Sequence, residues 1–404
     1  MSTSLLYHAF GIRGYEYTRT DYQDGQVIFT IHQEPKTCRC SACGSPRVQS
    51  RGRVERRFRT VPIGSRATFV ALPIPRVECQ ACGAVRQVKI PFADPRRSYT
   101  SSFERYALEL SRCMTIRDVA VHLDVSWDVI KDIQKRDLSR RFAKPKLKHS
   151  RRIAIDEIAV AKGHRYLTVV MDLESGAVVF VGDGKGGDAL KPFWKRLRSS
   201  KAKIEAVAMD MSPAYREAVS TYLPRAKIVF DHFHVIKLFN EKLSDLRRAL
   251  FREATEALHK QVLKGTRWLL LKNPENLDEE RDEKSRLEEA LALNQSLATA
   301  YYMKEDLRQF WEQPGKVFAT AFLNGWIKRA GASGIKMLQQ MAATLAAHRS
   351  GLLAYYDVPI TSGPMEGTNN KIKTMKRQAY GFRDKEFFKL KILAIHESKY
   401  ELIG

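Results

Sequence analysis

Two copies of one five-residue pattern constrain the fold of this chain more than any other feature. Residues 40–44 are Cys-Ser-Ala-Cys-Gly and residues 79–83 are Cys-Gln-Ala-Cys-Gly. A Cys-x-x-Cys pair followed by glycine forms a tight knuckle, and two knuckles offer four thiolates in the tetrahedron that suits Zn²⁺. Alternating apolar and polar residues at 67–72 predict a hairpin between them. We therefore predict a zinc ribbon, with the ligands Cys40, Cys43, Cys79 and Cys82.

This Zn²⁺ is expected to be structural, because protein ligands fill all four coordination positions. Its expected task is to fix a small domain that contacts DNA or another subunit. Cys38 lies two residues before Cys40 and is an alternative ligand in its place. Cys113 lies in a stretch of helical periodicity and is expected to be buried.

Charge and composition narrow the class of partner. The net charge is +24, from 69 Lys and Arg against 45 Asp and Glu. A clustered excess of this size favours a nucleic-acid partner, with a merely solvated basic surface as the alternative. Apolar runs of about 18 residues and a secretion signal are both missing, so we expect no membrane span and a cytoplasmic location.

Residues 102–142 have helical spacing and predict a helix-turn-helix. Small Ala120 allows two helices to cross closely, and Ser126 can cap the second helix after a turn at Asp124, where glycine is common. A generic helical hairpin is the alternative. On our interpretation the start of the recognition helix contacts the DNA groove through Ser126, Trp127, Asp128 and Lys131.

Residues 135–152 are strongly basic and resemble a linker that crosses a phosphate backbone. A solvated linker without DNA contacts is the alternative. The residues expected to bind DNA here are Arg140, Arg141, Lys144 and Lys146.

After residue 152 the sequence predicts an RNase H-like core. Three successive strands are expected at 153–161, 165–173 and 177–182, followed by a helix at 188–197. A strand at 204–209, a helix at 213–222 and a strand at 227–230 are expected after them. Three antiparallel strands followed by alternating helix and strand is the element order of an RNase H-like fold. In that fold the first and fourth strands lie together, so Asp156 and Asp210 would converge.

Three acidic residues lie in contexts that suit a pair of divalent cations. Asp156 and Asp210 follow apolar runs, and Glu366 follows a Gly-Pro break at the start of a basic helix. Carboxylates from two neighbouring strands and one helix can hold two Mg²⁺ or Mn²⁺ ions, which activate an attacking oxygen and stabilise the departing one. Each Asp has an alternative as a turn former or helix cap, and Glu157 is an alternative to Asp156.

The predicted Glu366 helix also carries basic and amide side chains suited to DNA. If the helix starts near Met365, residues 366, 370, 373 and 377 share one stripe. An ordinary amphipathic helix is the alternative. The predicted DNA-binding residues are Asn370, Lys371, Lys373, Lys376 and Arg377, with apolar and aromatic contact nearby from Met375, Tyr380 and Phe382.

Residues 236–358 are predicted to form an all-helical insertion, within which 277–293 is a charged amphipathic helix. A tryptophan from such an insertion can stack on an unpaired base. Burial in the core is the favoured alternative for each of Trp268, Trp311 and Trp326.

The chain resembles the DDE transposases of the ISL3 insertion-sequence family over almost its whole length. Matching stretches include residues 155–157, 162–166, 210–215, 230–235, 363–373 and 380–382. The resemblance implies an acidic triad at Asp156, Asp210 and Glu366. Asp231-x-x-His234 resembles a signature of related transposases, so His234 would contact the scissile phosphate or support the site; a buried structural histidine is the alternative.

The expected function is metal-dependent DNA transposition. The zinc ribbon and helix-turn-helix would bind terminal inverted repeats of double-stranded DNA, and the triad would hold Mg²⁺. Water would free a 3′-hydroxyl at the element's end, and that hydroxyl would attack target DNA. Both ends must be held together, so at least a homodimer is expected, acting at the bacterial nucleoid. Rival interpretations are a non-catalytic repressor and a stand-alone nuclease or resolvase.

The fold class that follows is multidomain α+β, in which a helical insertion interrupts the α/β core. The predicted segments are a zinc-ribbon DNA-binding domain at 1–98, a helix-turn-helix domain with basic linker at 99–150, the first part of the core at 151–235, the insertion at 236–358 and the last part of the core at 359–404.

Overall fold

The computed structural model describes residues 5–161, 163 and 165–397. Lys162 and His164, in the turn predicted between the first two core strands, lie outside the described residues, as does the end of the last predicted segment. The chain divides into two compact units, Met1–Arg140 and Arg141–Gly404. Among the described residues, no helix combines the length and apolar character that a bilayer crossing requires.

The first unit is built on a five-stranded sheet followed by three helices. Its elements are α1 (Leu5–Phe10), β1 (Glu16–Gln23), β2 (Gln26–His32), β3 (Val48–Ile63), β4 (Arg66–Cys79), β5 (Val85–Gln87), α2 (Ser101–Leu110), α3 (Ile116–His122) and α4 (Trp127–Phe142). The strand order is β1-β2-β4-β3, with β5 on β4. The long β3–β4 hairpin confirms the hairpin predicted between the knuckles, and the alternate residues Val70, Leu72 and Ile74 of β4 are fully buried.

Helices α3 and α4 form the predicted helix-turn-helix. Val119, Leu123, Ile130 and Ile133 are buried together in one apolar cluster. Asp124 takes the left-handed conformation, with a φ of 50°, that glycine usually supplies in this turn.

Two expectations for this region are wrong. Residues 135–142 belong to both the predicted helical stretch and the predicted linker; they continue α4, so the linker begins only at residue 143. Cys113 is exposed in the turn after α2, because α2 ends at Leu110 and releases the following residues from its buried face.

The second unit contains the sheet β10-β9-β6-β7-β8. Its elements before the insertion are β6 (Arg152–Ala161), β7 (Arg165–Asp172), β8 (Val178–Asp183), α5 (Lys191–Ser200), β9 (Ala206–Met209), α6 (Pro213–Tyr222) and β10 (Lys227–Phe230). Strands β6, β7 and β8 are antiparallel neighbours, while β9 runs parallel to both β6 and β10. This topology confirms the predicted RNase H-like core.

The insertion is helical, as predicted. Its helices are α7 (His232–Glu253), α8 (Ala257–Gly265), α9 (Glu283–Ala292), α10 (Gln295–Arg308), α11 (Lys316–Ala332), α12 (Lys336–Ala347) and α13 (Arg349–Leu353). The single helix expected at 277–293 is wrong at its start, because Asp282 has a φ of 50° and α9 begins only after it. The chain then returns to the core with α14 (Gly363–Gln378) and α15 (Lys385–Leu393).

Candidate active site

The register between β6 and β9 brings two aspartates side by side. Ala154 pairs with Ala208 in a parallel ladder, and the same register continued by two residues brings Asp156 opposite Asp210, whose charge acts on Asp156. The parallel ladder ends at the pair of Ala154 and Ala208, one residue before the end of β9 at Met209, whereas β6 continues beside β7. Asp210 is fixed by the N–H of Ser212, which donates to its carboxylate at 3.0 Å.

Asp156 is held by donors on both carboxylate oxygens. The side-chain amide of Asn369 donates to Oδ2 at 2.7 Å, and the backbone N–H of Glu157 donates to Oδ1 at 2.7 Å. Burial raises the pKa of Asp156 above its usual value, the nearby charge of Asp210 adds to the rise, and His234 opposes it. Two neighbouring carboxylates that are partly buried repel each other, so a bound cation would stabilise them.

Glu157, the alternative to Asp156, points to the other face of the sheet. Successive side chains of a strand alternate between faces. The charge of Glu157 acts instead on Tyr215, whose hydroxyl lies 2.8 Å from Thr168 Oγ1. The residue facing His234 and Asp210 is therefore Asp156.

A buried aspartate connects the insertion helix α7 to the start of α14. Asp231 is 2% exposed and accepts hydrogen bonds from the backbone N–H and hydroxyl of Ser362 at 3.1 and 2.7 Å. His234 Nδ1 lies 3.4 Å from Asp231, and its Nε2 lies 3.7 Å from Asp156. Burial lowers the pKa of His234, but these carboxylates outweigh it and raise the pKa above its usual value. His234 thus bridges the two aspartates.

Helix α14 carries Glu366 towards this place. Pro364 stands in its first turn, where a missing N–H does no harm. Asn369, which contacts Asp156, lies one turn beyond Glu366, so the two side chains share a face. Glu366 is half-buried, whereas the predicted DNA-binding residues Asn370, Lys371, Lys373 and Arg377 are exposed and Lys376 is half-buried.

The donor set fits hard cations. Mg²⁺ and Mn²⁺ prefer carboxylate, carbonyl and water oxygens. The side-chain carbonyl oxygen of Asn369 is buried without a hydrogen-bond partner, and it belongs to the amide that contacts Asp156. The oxygens of Asp156, Asp210 and Glu366 do not all lie within 4.8 Å of one another. The types of residue present suit a hard cation, and the charge of Asp210 acts on Asp156.

The four predicted zinc ligands do meet. The Sγ atoms of all four lie within 4.8 Å of one another: Cys40, Cys43, Cys79 and Cys82. In the described part of the chain, no other group of three or more His, Cys, Asp or Glu residues meets this distance. Gly44 and Gly83 each have a φ near 70° and donate to the carbonyl of the first cysteine of their knuckle at 2.9 Å. Cys38 lies instead in the apolar core of the first unit, so it is not the alternative ligand.

The predicted DNA-binding residues of the helix-turn-helix and of the basic segment that follows it are mostly exposed. Trp127 is 55% exposed, and the Lys131 ammonium lies 5.6 Å from the centre of its ring. Arg140 pairs with Asp137 and Arg141 with Glu397. Lys144 and Lys146 are exposed, and Ser126 precedes the first residue of α4.

The three insertion tryptophans have different environments. Trp326 is fully buried and donates to the carbonyl of Met303 at 2.9 Å, as expected for a core residue. Trp311 is half-buried against the ring of His232. Trp268 is 64% exposed, with the Arg267 guanidinium over its ring, so the expectation of burial is wrong there.

Comparison with known proteins decides the family. The family model for the ISL3 transposase matches residues 153–392. The family model for the helix-turn-helix domain of transposase family ISL3 matches residues 88–137. The family model for the zinc finger of the IS204/IS1001/IS1096/IS1165 transposases matches residues 36–82. The chain belongs to the ISL3 family of transposases. It is a DDE-type insertion-sequence transposase, as the resemblance implied. It has a zinc ribbon with four cysteines for a structural zinc ion, and a DNA-binding helix-turn-helix domain.

Its relatives match over nearly their full length. The transposase for insertion sequence element IS1001 of Bordetella parapertussis is 32% identical, over 98% of both chains. The transposase for IS1557 of Mycobacterium tuberculosis is 29% identical, over 92% of this chain and 89% of the relative. The Drosophila P element transposase strand transfer complex shares 12% identity at a TM-score of 0.42, covering 76% of this chain and 94% of that one.

Sequence reasoning missed Asn369 and Ser362. Asn369 stands beside Asn370, and only the packing of α14 on β6 decides which amide faces inward. Ser362 looks like an ordinary turn residue until the fold brings it to Asp231, 131 positions away.

Proposed function

We propose that this transposase binds the terminal inverted repeats of its element and cuts and joins DNA strands at Asp156, Asp210 and Glu366. The register of β6 and β9 supports the proposal most, because its continuation by two residues would bring Asp156 opposite Asp210. The third acid comes from a helix that reaches the same place through the Asn369–Asp156 hydrogen bond.

The three carboxylates and the Asn369 carbonyl oxygen would hold the cations. Bound Mg²⁺ or Mn²⁺ supplies activation of the attacking oxygen and charge stabilisation of the leaving one. The chain's own residues orient this centre: Asn369 fixes the Asp156 carboxylate, and Asp231 fixes the start of α14 through Ser362. His234 lies between Asp231 and Asp156, where its ring can contact a scissile phosphate.

The reaction is two successive displacements at phosphorus. Water attacks the phosphodiester at the element's end, the P–O bond to the 3′ oxygen breaks, and that oxygen leaves as a 3′-hydroxyl. The freed hydroxyl then attacks a target phosphodiester, so one P–O bond forms as another breaks. No covalent protein–DNA intermediate is needed, because the attacking oxygen is never a side chain of the protein.

Different segments of the chain have different roles. Residues 1–98 and 99–150 bind the repeats, residues 151–235 and 359–404 carry the chemistry, and the insertion at 236–358 lies between them. The basic residues of α14 and of the segment around residue 144 hold phosphates of element and target DNA. Two or more copies hold the two ends together, and the reaction takes place on chromosomal DNA in the cytoplasm.

End cleavage tests this function directly. Purified full-length protein is incubated with labelled element ends and Mg²⁺, and the cut positions are mapped. We expect a 3′-hydroxyl at the element boundary, and the substitutions Asp156→Asn, Asp210→Asn or Glu366→Gln should abolish it while repeat binding stays within about twofold. Normal cleavage by one of these variants would remove that residue from the site.

A further inference from the structure

The turn that ends α14 holds an aromatic side chain in a backbone conformation that bulky residues rarely adopt. Tyr380 has a φ of 50°, and its side chain is fully exposed, at 101%. Glycine is the usual residue where a helix ends in the left-handed region. Unfavourable backbone geometry of this kind concentrates at functional sites. An exposed tyrosine in place of glycine therefore calls for a functional reason.

The backbone of this turn is fixed on both sides. The N–H of Tyr380 donates to the carbonyl of Arg377 at 3.0 Å, and that of Gly381 donates to the carbonyl of Lys376 at 2.9 Å. The next residue, Phe382, stacks on Phe388 with 4.5 Å between ring centres and 18° between planes. The Tyr380 ring thus projects from a rigid support, which lowers the entropy lost when a partner binds it.

The surroundings of the ring are basic. Lys373 and Arg377 precede it on α14 and Arg383 follows it, all three exposed. Exposed aromatic rings among positive charges are what proteins use to bind unpaired nucleotides, because bases stack on the ring while cations hold the backbone. Side chains that insert between paired bases are apolar, and the hydroxyl of tyrosine disfavours that role.

We propose that Tyr380 is a stacking platform for an unpaired base of the bound DNA. The proposal rests on the proposed function, since α14 also carries Glu366. Fourteen positions separate the two residues, roughly 21 Å at about 1.5 Å per helical residue. The stacked base therefore lies within about six base-pair steps of the bond that is cut. Trp268 is a weaker platform, because Arg267 already lies over its ring.

Tyr380→Gly tests the platform without risk to the fold, because glycine suits the left-handed turn. Affinity is measured by fluorescence anisotropy, without divalent cations, for two DNAs made from the element's terminal repeat. One is fully duplex, and the other has a few unpaired nucleotides at the cleaved end. We expect Tyr380→Gly to bind the second DNA about tenfold more weakly, to bind the duplex within about twofold, and to keep its melting temperature.

Two further variants complete the test. Tyr380→Phe keeps the ring and should bind both DNAs like the parent protein. Tyr302→Ala removes a tyrosine that is 61% exposed in the insertion and should change neither affinity. Unchanged binding of the unpaired end by Tyr380→Gly, or an equal loss on both DNAs, would overturn the proposal. Because cations are left out, these results do not depend on cleavage, so a failure of the proposed function would be seen separately.

Discussion

At the scale of single residues, the contact that matters most is the one between Asn369 and Asp156. The amide donates to Oδ2 at 2.7 Å, so it fixes the direction in which the carboxylate points. It also joins β6 to the helix that carries Glu366. Groups that orient metal ligands commonly change metal affinity tenfold to a hundredfold when they are removed. In the proposed centre Asn369 therefore orients Asp156 through its amide N–H, in addition to offering its carbonyl oxygen to a cation.

Asn369→Ala should raise the Mg²⁺ concentration needed for half-maximal end cleavage by about tenfold. The carboxylate of Asp156 loses its donor and points less consistently towards the cation. The measurement is a Mg²⁺ titration of cleavage at saturating DNA. The matched control is Asn370→Ala, which removes the exposed neighbouring amide. It should weaken DNA binding but leave the Mg²⁺ midpoint in place. An unchanged midpoint in Asn369→Ala would show that the amide is only structural.

Asn369 and Asn370 show the limit of predicting single residues from the sequence. Helical spacing places Glu366, Asn370 and Lys373 on one stripe, and it places Asn369 on the flank of that stripe. The angle of α14 against β6 then turns Asn369 inward and leaves Asn370 exposed. That angle comes from tertiary packing, which local periodicity does not contain.

At the scale of elements, zinc fixes the two knuckles of the first unit. Cys82→Ser should release the ion and destabilise that unit, because serine is a poor zinc ligand and the site supplies folding free energy. Cys82 is exposed, so little apolar packing is lost with its sulfur. Metal analysis and thermal denaturation give the readout. Cys113→Ser is the matched control, since it removes another exposed thiol and should keep full zinc. Full zinc content in Cys82→Ser would refute the ribbon.

The start of α14 depends on a charge-assisted contact. Ser362 donates both its backbone N–H and its hydroxyl to buried Asp231. Ser362→Ala should destabilise the first turn of the helix by about 2 kcal/mol, the range for hydrogen bonds to charged groups. Hydrogen exchange of the α14 amides measures this. Thr361→Ala, which removes only an acceptor for the N–H of Gly363 at 3.2 Å, should have a smaller effect. Equal exchange in both variants would contradict the assignment.

Elements were predictable where the pattern was strong and local. The sequence predicts residues 213–222 and 227–230 with the bounds that the structure has, because proline and short apolar runs mark them clearly. The helix expected at 277–293 starts later than predicted, because the sequence does not show that Asp282 adopts a left-handed conformation. Residues 135–142 have helical spacing as well as many charges, and they are helical because Asp137 and Phe142 lie on the buried side of α4.

At the scale of the whole molecule, the net charge of +24 and the separate DNA-binding and catalytic segments suit an assembly on DNA. Both ends of an element must react together, so we predict two or more copies in the complex with end DNA. Mass photometry of protein with terminal-repeat DNA should show a species with at least two chains and two DNA ends. A monomer that cuts DNA at full rate under the same conditions would contradict this prediction.

The central claim is that Asp156, Asp210 and Glu366 share one cation centre when DNA is bound. Fe²⁺ also binds oxygen ligands, and with peroxide it generates radicals that cut nearby backbone. With DNA bound and Mg²⁺ replaced by Fe²⁺, the account predicts chain cuts near residues 156, 210 and 366, all lost together in Asp156→Asn. Cuts near 156 and 210 without any near 366 would contradict the account.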